Sequence, residues 1–321
     1  MYADTIIQDR WLHNYRFVLL LLSAVTALTY YLDPMGLSLM EAFGIAEEDG
    51  GPSAPARLLA SVLISAILVG VAVITSLFNK KTQVLISWAI MTLVLGGFFY
   101  MFDLSIEFIR SKLWFLVSQG LWTTLYISAI SIGLACVIAL IAALAKLSDN
   151  GMANGIANFY TSLFRGLPLL MQVYLIYIGL PQLGYVVEAI PAGIAALALC
   201  YGAYMTEIFR AGIEAIPKGQ WEAGRAIGFT PGVMMRRIIL PQAIPLVIPA
   251  IGNQFIAMLK DSSLISVIGV WELMYLARSL GNQTFQHMEM LITVSMIYWL
   301  LTIILEMIQS KIEKAFKHAG R

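Results

Sequence analysis

The chain has 321 residues, of which 60% are hydrophobic and only 12% charged, with a mean hydropathy of +0.81. These values exclude an ordinary soluble domain and place the chain among integral membrane proteins. The net charge of +1 gives no reason to expect a nucleic-acid partner, and Cys136 and Cys200 both lie in apolar runs, as small buried hydrophobes do, so no disulfide framework is indicated.

A spanning helix needs about 20 mainly apolar residues. Eight stretches qualify: 17–32, 58–78, 84–101, 121–145, 156–178, 192–209, 243–259 and 290–308. The expected fold is therefore all-α and polytopic, with about eight transmembrane helices in contact with lipid. The opening MYADTIIQD lacks the basic start and cleavage site of a signal peptide. Residues 33–55 are acidic and rich in Gly and Pro, a solvated connection whose GLSLM run lacks the second glycine of a serine-nucleophile motif. Residues 103–114 place Asp103, Glu107, Arg110 and Lys112 among Leu104, Ile106, Phe108 and Ile109, which predicts an interfacial amphipathic helix. The chain then divides into an extension, 1–117, with three transmembrane helices and this interfacial helix, and a core, 118–321.

Within the fifth stretch Arg165 precedes Gly166-Leu167-Pro168, and Gln172 follows seven residues later on nearly the same helical face. Hydrocarbon selects against ionisable groups, so Arg165 reads either as functional or as a side chain that snorkels to the cytoplasmic interface or pairs with a partner helix. Gly166 and Pro168 are expected to break or bend the helix and to turn the freed backbone groups toward a cavity or another protein segment. Glu207 and Arg210, three residues apart, predict a local ion pair on one helix face.

Residues 213–249 form the longest polar interval in the later part of the chain, with Lys218, Arg225, Arg236 and Arg237. Such a stretch cannot lie in hydrocarbon. Pro217 ends the preceding helix, residues 220–227 restart one, and Gly228 stops it. Thr230 and Pro231 then serve as N-cap and first position of a second helix through Ile239, closed by Leu240-Pro241. The small residues Ala223, Gly224, Ala226 and Gly228 let a foreign surface approach this elbow closely. Counted over the connections, fourteen of the 20 Lys and Arg residues fall on the elbow's side and five on the other. The elbow and both termini are thus expected in the cytoplasm.

The elbow's Glu222-Ala223-Gly224, with Gly228 four residues beyond Gly224 and then Ile238, Leu240 and Pro241, resembles the EAA loop of ATP-binding-cassette importer permeases. Gly224 stands where that family usually has Ala. FRGLPLLMQVYLIYIGLP (164–181), AYMTEIFRAGIEAIPKGQWEAG (203–224) and GNQFIAMLKDSSLISVIG (252–269) resemble its polar amino-acid branch, and the resemblance spans roughly 120–311. It implies a five-helix type I permease core in a bacterial inner membrane, paired with a second permease chain, identical or paralogous. It further implies ATPase subunits docked on residues 222–228 and a substrate-binding protein that delivers a polar amino acid, with a weak lean to glutamate or glutamine. The three helices before residue 103 have no counterpart in that core and read as a lipid-facing rim or a partner clamp, the rim being favoured.

Asn253, Gln254, Lys260, Asp261, Ser262 and Ser263 follow at the outer end of the seventh stretch. The lysine and carboxylate either attract the two ends of an amino acid or neutralise each other. With Arg165, Gly166, Pro168 and Gln172 these are the candidate substrate pathway. Residues 264–288 are too interrupted to span and read as a helix across the outer mouth, ended by Gly281 and Asn282, a candidate gate.

No G-x-x-x-x-G-K-[ST] loop occurs, so no cofactor is expected on this chain, and ATP and Mg are assigned to the partner ATPase. His13, His287 and His318 lack ligand spacing. An intramembrane enzyme lacks its nucleophile and base here. An ion-coupled secondary transporter or channel would want matched inverted halves, and none is visible.

Overall fold

The computed structural model describes residues 15–32, 54–100 and 102–319. The chain divides into two units, Met1–Asp103 and Leu104–Arg321. Most of the 33–55 connection and His13 lie outside the described residues, as do the side chains of Arg57 and His318.

In the first unit α1 (Tyr15–Leu32), α2 (Ala54–Ser76) and α3 (Lys80–Tyr100) are runs of Leu, Val, Ile and Ala. Asn79 starts α3 by accepting from the Thr82 N–H at 3.0 Å. α1 and α2 meet along small polar residues: Thr29 Oγ1 lies 3.3 Å from Ser65 Oγ, which donates to the Ser61 carbonyl at 2.6 Å. Lipid offers no hydrophobic drive for helix pairing, so such close small-residue seams supply it. α3 buries none of its residues, as a helix with apolar sides all round does when lipid surrounds it.

The second unit begins with α4 (Ile106–Phe115), which runs through a π-helical turn (Leu116–Leu121) into α5 (Trp122–Lys146). The predicted interfacial helix is thus not separate. No proline or glycine interrupts residues 104–119, and Phe108 and Ile109 pack beside Leu116, Leu273 and Met290. The 41 continuous residues extend about 60 Å, roughly twice the hydrocarbon thickness, so one end of this helix stands outside an apolar slab.

α6 (Gly151–Gly166) is capped by Asn150, whose Oδ1 accepts from the Met152 and Ala153 N–H groups at 2.9 and 3.1 Å. It breaks at Leu167-Pro168, and α7 (Leu169–Tyr174), prolonged to Gln182, leaves at 107°. The single span expected over 156–178 is therefore two helices. Pro168 cannot donate to a helical carbonyl and holds Leu167 extended, at ψ 137°.

α8 (Ala189–Glu214) is the central helix. Its Ala192, Ala196, Cys200 and Met205 pack with Ala135, Ala139 and Ala143 of α5 in the principal core. The elbow follows as α9 (Lys218–Ala226) and α10 (Pro231–Met234). Leu240-Pro241 does not close the second helix, contrary to the sequence expectation. A π turn (Met235–Ile239), in which the Leu240 N–H reaches back five residues to the Met235 carbonyl, passes directly into α11 (Leu240–Asp261). The wider turn admits Pro241, which brings no N–H of its own.

α11 tightens into a 3₁₀ segment (Ser262–Ile268) ended by Gly269 at φ +84°. Then come α12 (Leu273–Thr284) and α13 (His287–Ala319). α12 does not end at Gly281 and Asn282: Gly281 is packed against His287, and the stop is Phe285 at φ +57°. Among the described residues six helices are long and apolar enough to span, α6–α7 forms a broken seventh, and α1 is shorter.

Candidate functional site

The break after α6 frees backbone carbonyls, and Gln172 answers them: its Nε2 donates to Phe164 O at 2.9 Å and Leu167 O at 2.8 Å. Gln172 is 2% exposed and supports the break from behind. It does not face a pathway. In front of the break lies a cavity of about 470 Å³ lined by Arg165, Gly166, Leu167, Pro168 and Leu169, by Cys200, Tyr201 and Tyr204 of α8, and by Gln254 and Asp261 of α11.

The Tyr201 hydroxyl donates to Asp261 Oδ2 at 2.7 Å. Tyr201 is the thirteenth residue of the 26-residue α8, so Asp261 and the cavity lie at mid-depth of the bundle. The outer-end position expected for Asp261 is wrong because the helix continues past it to Ile268. Asp261 pairs with Tyr201 rather than with Lys260, which is exposed. Asn253 turns to the last helix and bonds Gln309 at 3.0 Å. Ser262 is buried on the Leu259 carbonyl, and Ser263 is outside the lining.

Of the ten candidate pathway residues, Arg165, Gly166, Pro168, Gln254 and Asp261 thus converge. Cys200, Tyr201 and Tyr204 were missed. Two hydroxyl-bearing rings three residues apart, in a span otherwise rich in Ala, Gly and Leu, were the available signal.

Arg165 occupies the last turn of α6, where the helix dipole favours a cation. Its guanidinium stands over the Tyr204 ring, 5.5 Å from the centroid. One of its nitrogens is 3.7 Å from Glu207 Oε1. Glu207 also receives Lys146 Nζ at 2.6 Å and Arg210 Nε at 2.9 Å, and Arg210 reaches Glu214 at 2.7 Å. The Glu207–Arg210 pair is therefore one link in a network joining α5, α6 and α8.

At the elbow, Gly228 adopts φ +80°, and the Gly228 and Phe229 N–H groups return to Arg225 O and Gly224 O, each at 3.0 Å. This is a glycine-terminated helix end. Ile213, Ile216, Met234 and Ile239 form the elbow's core, with Trp221, Phe229, Ile238 and Leu240 around it. Glu222, Ala223, Gly228 and Pro241 are exposed. Gly224 is not open to a visitor: it is buried, and a Cβ there would stand 2.9 Å from Met234 Sδ. Thr230 occupies the N-cap position, but its side chain makes no capping bond.

Residues 135–318 match the family described as binding-protein-dependent transport system inner membrane component. The arginine transport system permease protein ArtQ of Bacillus subtilis (strain 168) is 40% identical over 202 residues, 63% of this chain and 92% of that protein. The putative glutamine transport system permease protein GlnP of Rickettsia bellii (strain RML369-C) is 37% identical over 215 residues, 67% of this chain and 98% of its own. A crystal structure of an amino acid ABC transporter with histidines superposes with a TM-score of 0.62 at 35% identity, covering 66% of this chain and 99% of that one. The chain belongs to the binding-protein-dependent inner-membrane permeases, as an amino-acid permease subunit of an ATP-binding-cassette importer with the type I fold.

Proposed function

We propose that this permease carries a polar amino acid across the bacterial cytoplasmic membrane through the mid-depth cavity, driven by ATPase subunits that grip the elbow. The observation that carries this reading is the cavity wall itself. Its two charged residues, Arg165 and Asp261, have opposite signs, as do the carboxylate and ammonium of a free amino acid. Charges partly withdrawn from water gain from an opposite partner, so a zwitterion suits such a wall better than a neutral solute.

The exposed Glu222, Ala223 and Gly228 supply the docking surface, while Gly224, Ile238 and Leu240 hold its shape from within. Pro241 lets the elbow run directly into α11, which ends at Asp261, so a push on the elbow reaches the cavity through one helix. ATP and Mg belong to the ATPases, substrate is delivered by a binding protein, and a second permease chain completes the channel. Both termini lie in the cytoplasm. We assign α1–α3 a lipid-facing role, which their runs of Leu, Val, Ile and Ala suit. Glutamine or glutamate is the substrate class we favour.

The test is uptake by proteoliposomes holding the permease with its ATPase and binding protein. ATP inside should drive uptake with no ion gradient, and unlabelled glutamine should compete better than cystine or a neutral sugar. Uptake that followed an imposed proton or sodium gradient without ATP would favour an ion-coupled carrier instead.

A further inference from the structure

The charge cluster below the cavity is unbalanced. Lys146, Arg165 and Arg210 surround Glu207 and Glu214, three cations against two carboxylates. Lys146 is 12% exposed and held at 2.6 Å, so its charge is satisfied by Glu207. Arg210 bridges both carboxylates at 2.9 and 2.7 Å. The surplus therefore falls on Arg165, whose contact with Glu207 is the longest at 3.7 Å and whose side chain is 44% exposed toward the cavity it lines.

We propose that Glu207 is a positioning residue that shares Arg165 with the substrate: it holds the guanidinium while the cavity is empty and yields it to a substrate carboxylate. Arg210 and Glu214 pass the change to the elbow. The proposal rests on the reading of the cavity as the substrate site. Arg165 is its two-state element. It has one anchor in Glu207, a second in the Tyr204 face, and open space beside both. A carboxylate arriving in the cavity draws it from Glu207, which then turns fully to Lys146 and Arg210. Arg210 is thereby pulled against its other partner, Glu214, the last residue of α8. The neighbouring Ile213 and Ile216 belong to the elbow's core with Met234 and Ile239. Substrate occupancy and elbow position thus bias the same ionic chain, which is the condition for coupling two sites.

The experiment uses the assembled permease–ATPase complex with labelled glutamine and labelled arginine as probes, measuring binding and amino-acid-stimulated ATP hydrolysis side by side. Arg210→Gln leaves the half-buried Lys146–Glu207 pair intact and so preserves the fold. It should bind the probe as the wild type does yet lose on the order of tenfold of the stimulation, within the usual range of coupling strengths. Arg210→Lys, which keeps the charge, should restore most of it. Glu207→Gln should bind at least as tightly, because Arg165 is released, and should also be uncoupled.

Stimulation intact in both Arg210→Gln and Glu207→Gln, with binding normal, would overturn the relay alone. A loss that Lys fails to restore would assign Arg210 to packing and overturn it equally. Binding of neither probe by the wild type, or binding unchanged in Arg165→Gln, would instead overturn the cavity reading beneath it.

Discussion

Replacing Gly228 isolates the geometry of the elbow from its packing. The residue sits at φ +80°, and nothing lies within 4 Å of where a Cβ would stand, so a side chain there meets conformational strain and no clash. Left-handed backbone costs an L-residue about 1 kcal/mol for Ala and about 2 kcal/mol for β-branched Val, and least for Asn, whose side chain bonds locally. Relief of that strain requires the bend to open. Opening breaks the bonds from Gly228 N–H to Arg225 O and from Phe229 N–H to Gly224 O, and withdraws Phe229 from the elbow's core. If ATPase docking needs the native bend, those costs weaken it about 5-fold for Ala and about 30-fold for Val. Titration of the solubilised permease with purified ATPase subunit gives these ratios directly, with normal insertion confirmed by size-exclusion chromatography. The expected order of affinity is Gly, Asn, Ala, Val. A Val variant that docks like the wild type, or an Asn variant as impaired as Val, would refute the reasoning.

Three further outcomes are expected. Glu272 is fully buried, and its carboxylate accepts from the Met274 and Tyr275 N–H groups and from the Tyr298 hydroxyl. Burial pushes its pKa up to about 7 despite those bonds. The folded chain therefore keeps a proton that the unfolded chain has released, so the stability Glu272 contributes is fully present below about pH 4.5 and is lost as pH rises to about 7, by on the order of 3 kcal/mol, then levels. Melting profiles of the complex between pH 5 and 8 should show that slope, and Glu272→Gln should flatten it. Gln172→Ala leaves the Leu167 carbonyl unserved and the Phe164 carbonyl with only the weak Cys200 thiol at 3.8 Å, at a cost of about 1–3 kcal/mol read as a lowered melting temperature. At Gly212 an added Cβ would overlap Val247 Cγ1. Gly212→Ala should destabilise by about 1–3 kcal/mol, and Val247→Ala should recover part of it rather than add to it.

The apolar runs were long enough to be read as helices, and the elbow could be bounded from Pro217, Gly228 and Pro231 because each acts through its own backbone. Leu240-Pro241 misled for the same reason: a proline at a helix start and one after a helix end look alike until the preceding π turn is seen. The 3₁₀ continuation past Asp261 carries no sequence mark, and without it the apolar pattern points to the outer end for Asp261 instead of mid-depth. Arg165, Gly166 and Pro168 were legible because charge and helix breakers are costly in hydrocarbon. Gln172 drew notice for the same polarity, yet its amide serves the break. Polarity alone does not say whether a buried group faces a ligand or a stranded carbonyl. Tyr201 and Tyr204 are ordinary in a membrane helix, and only the fold brings them to Asp261 and Arg165.

The central claim is that Arg165 meets a substrate carboxylate in the mid-depth cavity, and binding of glutamine and of its α-amide to the complex without binding protein tests it. The wild type should bind glutamine roughly tenfold or more tightly than the amide, the difference a charged hydrogen bond makes, and Arg165→Gln should bind both alike. If Arg165→Gln kept the full preference for the free carboxylate, the claim would be contradicted.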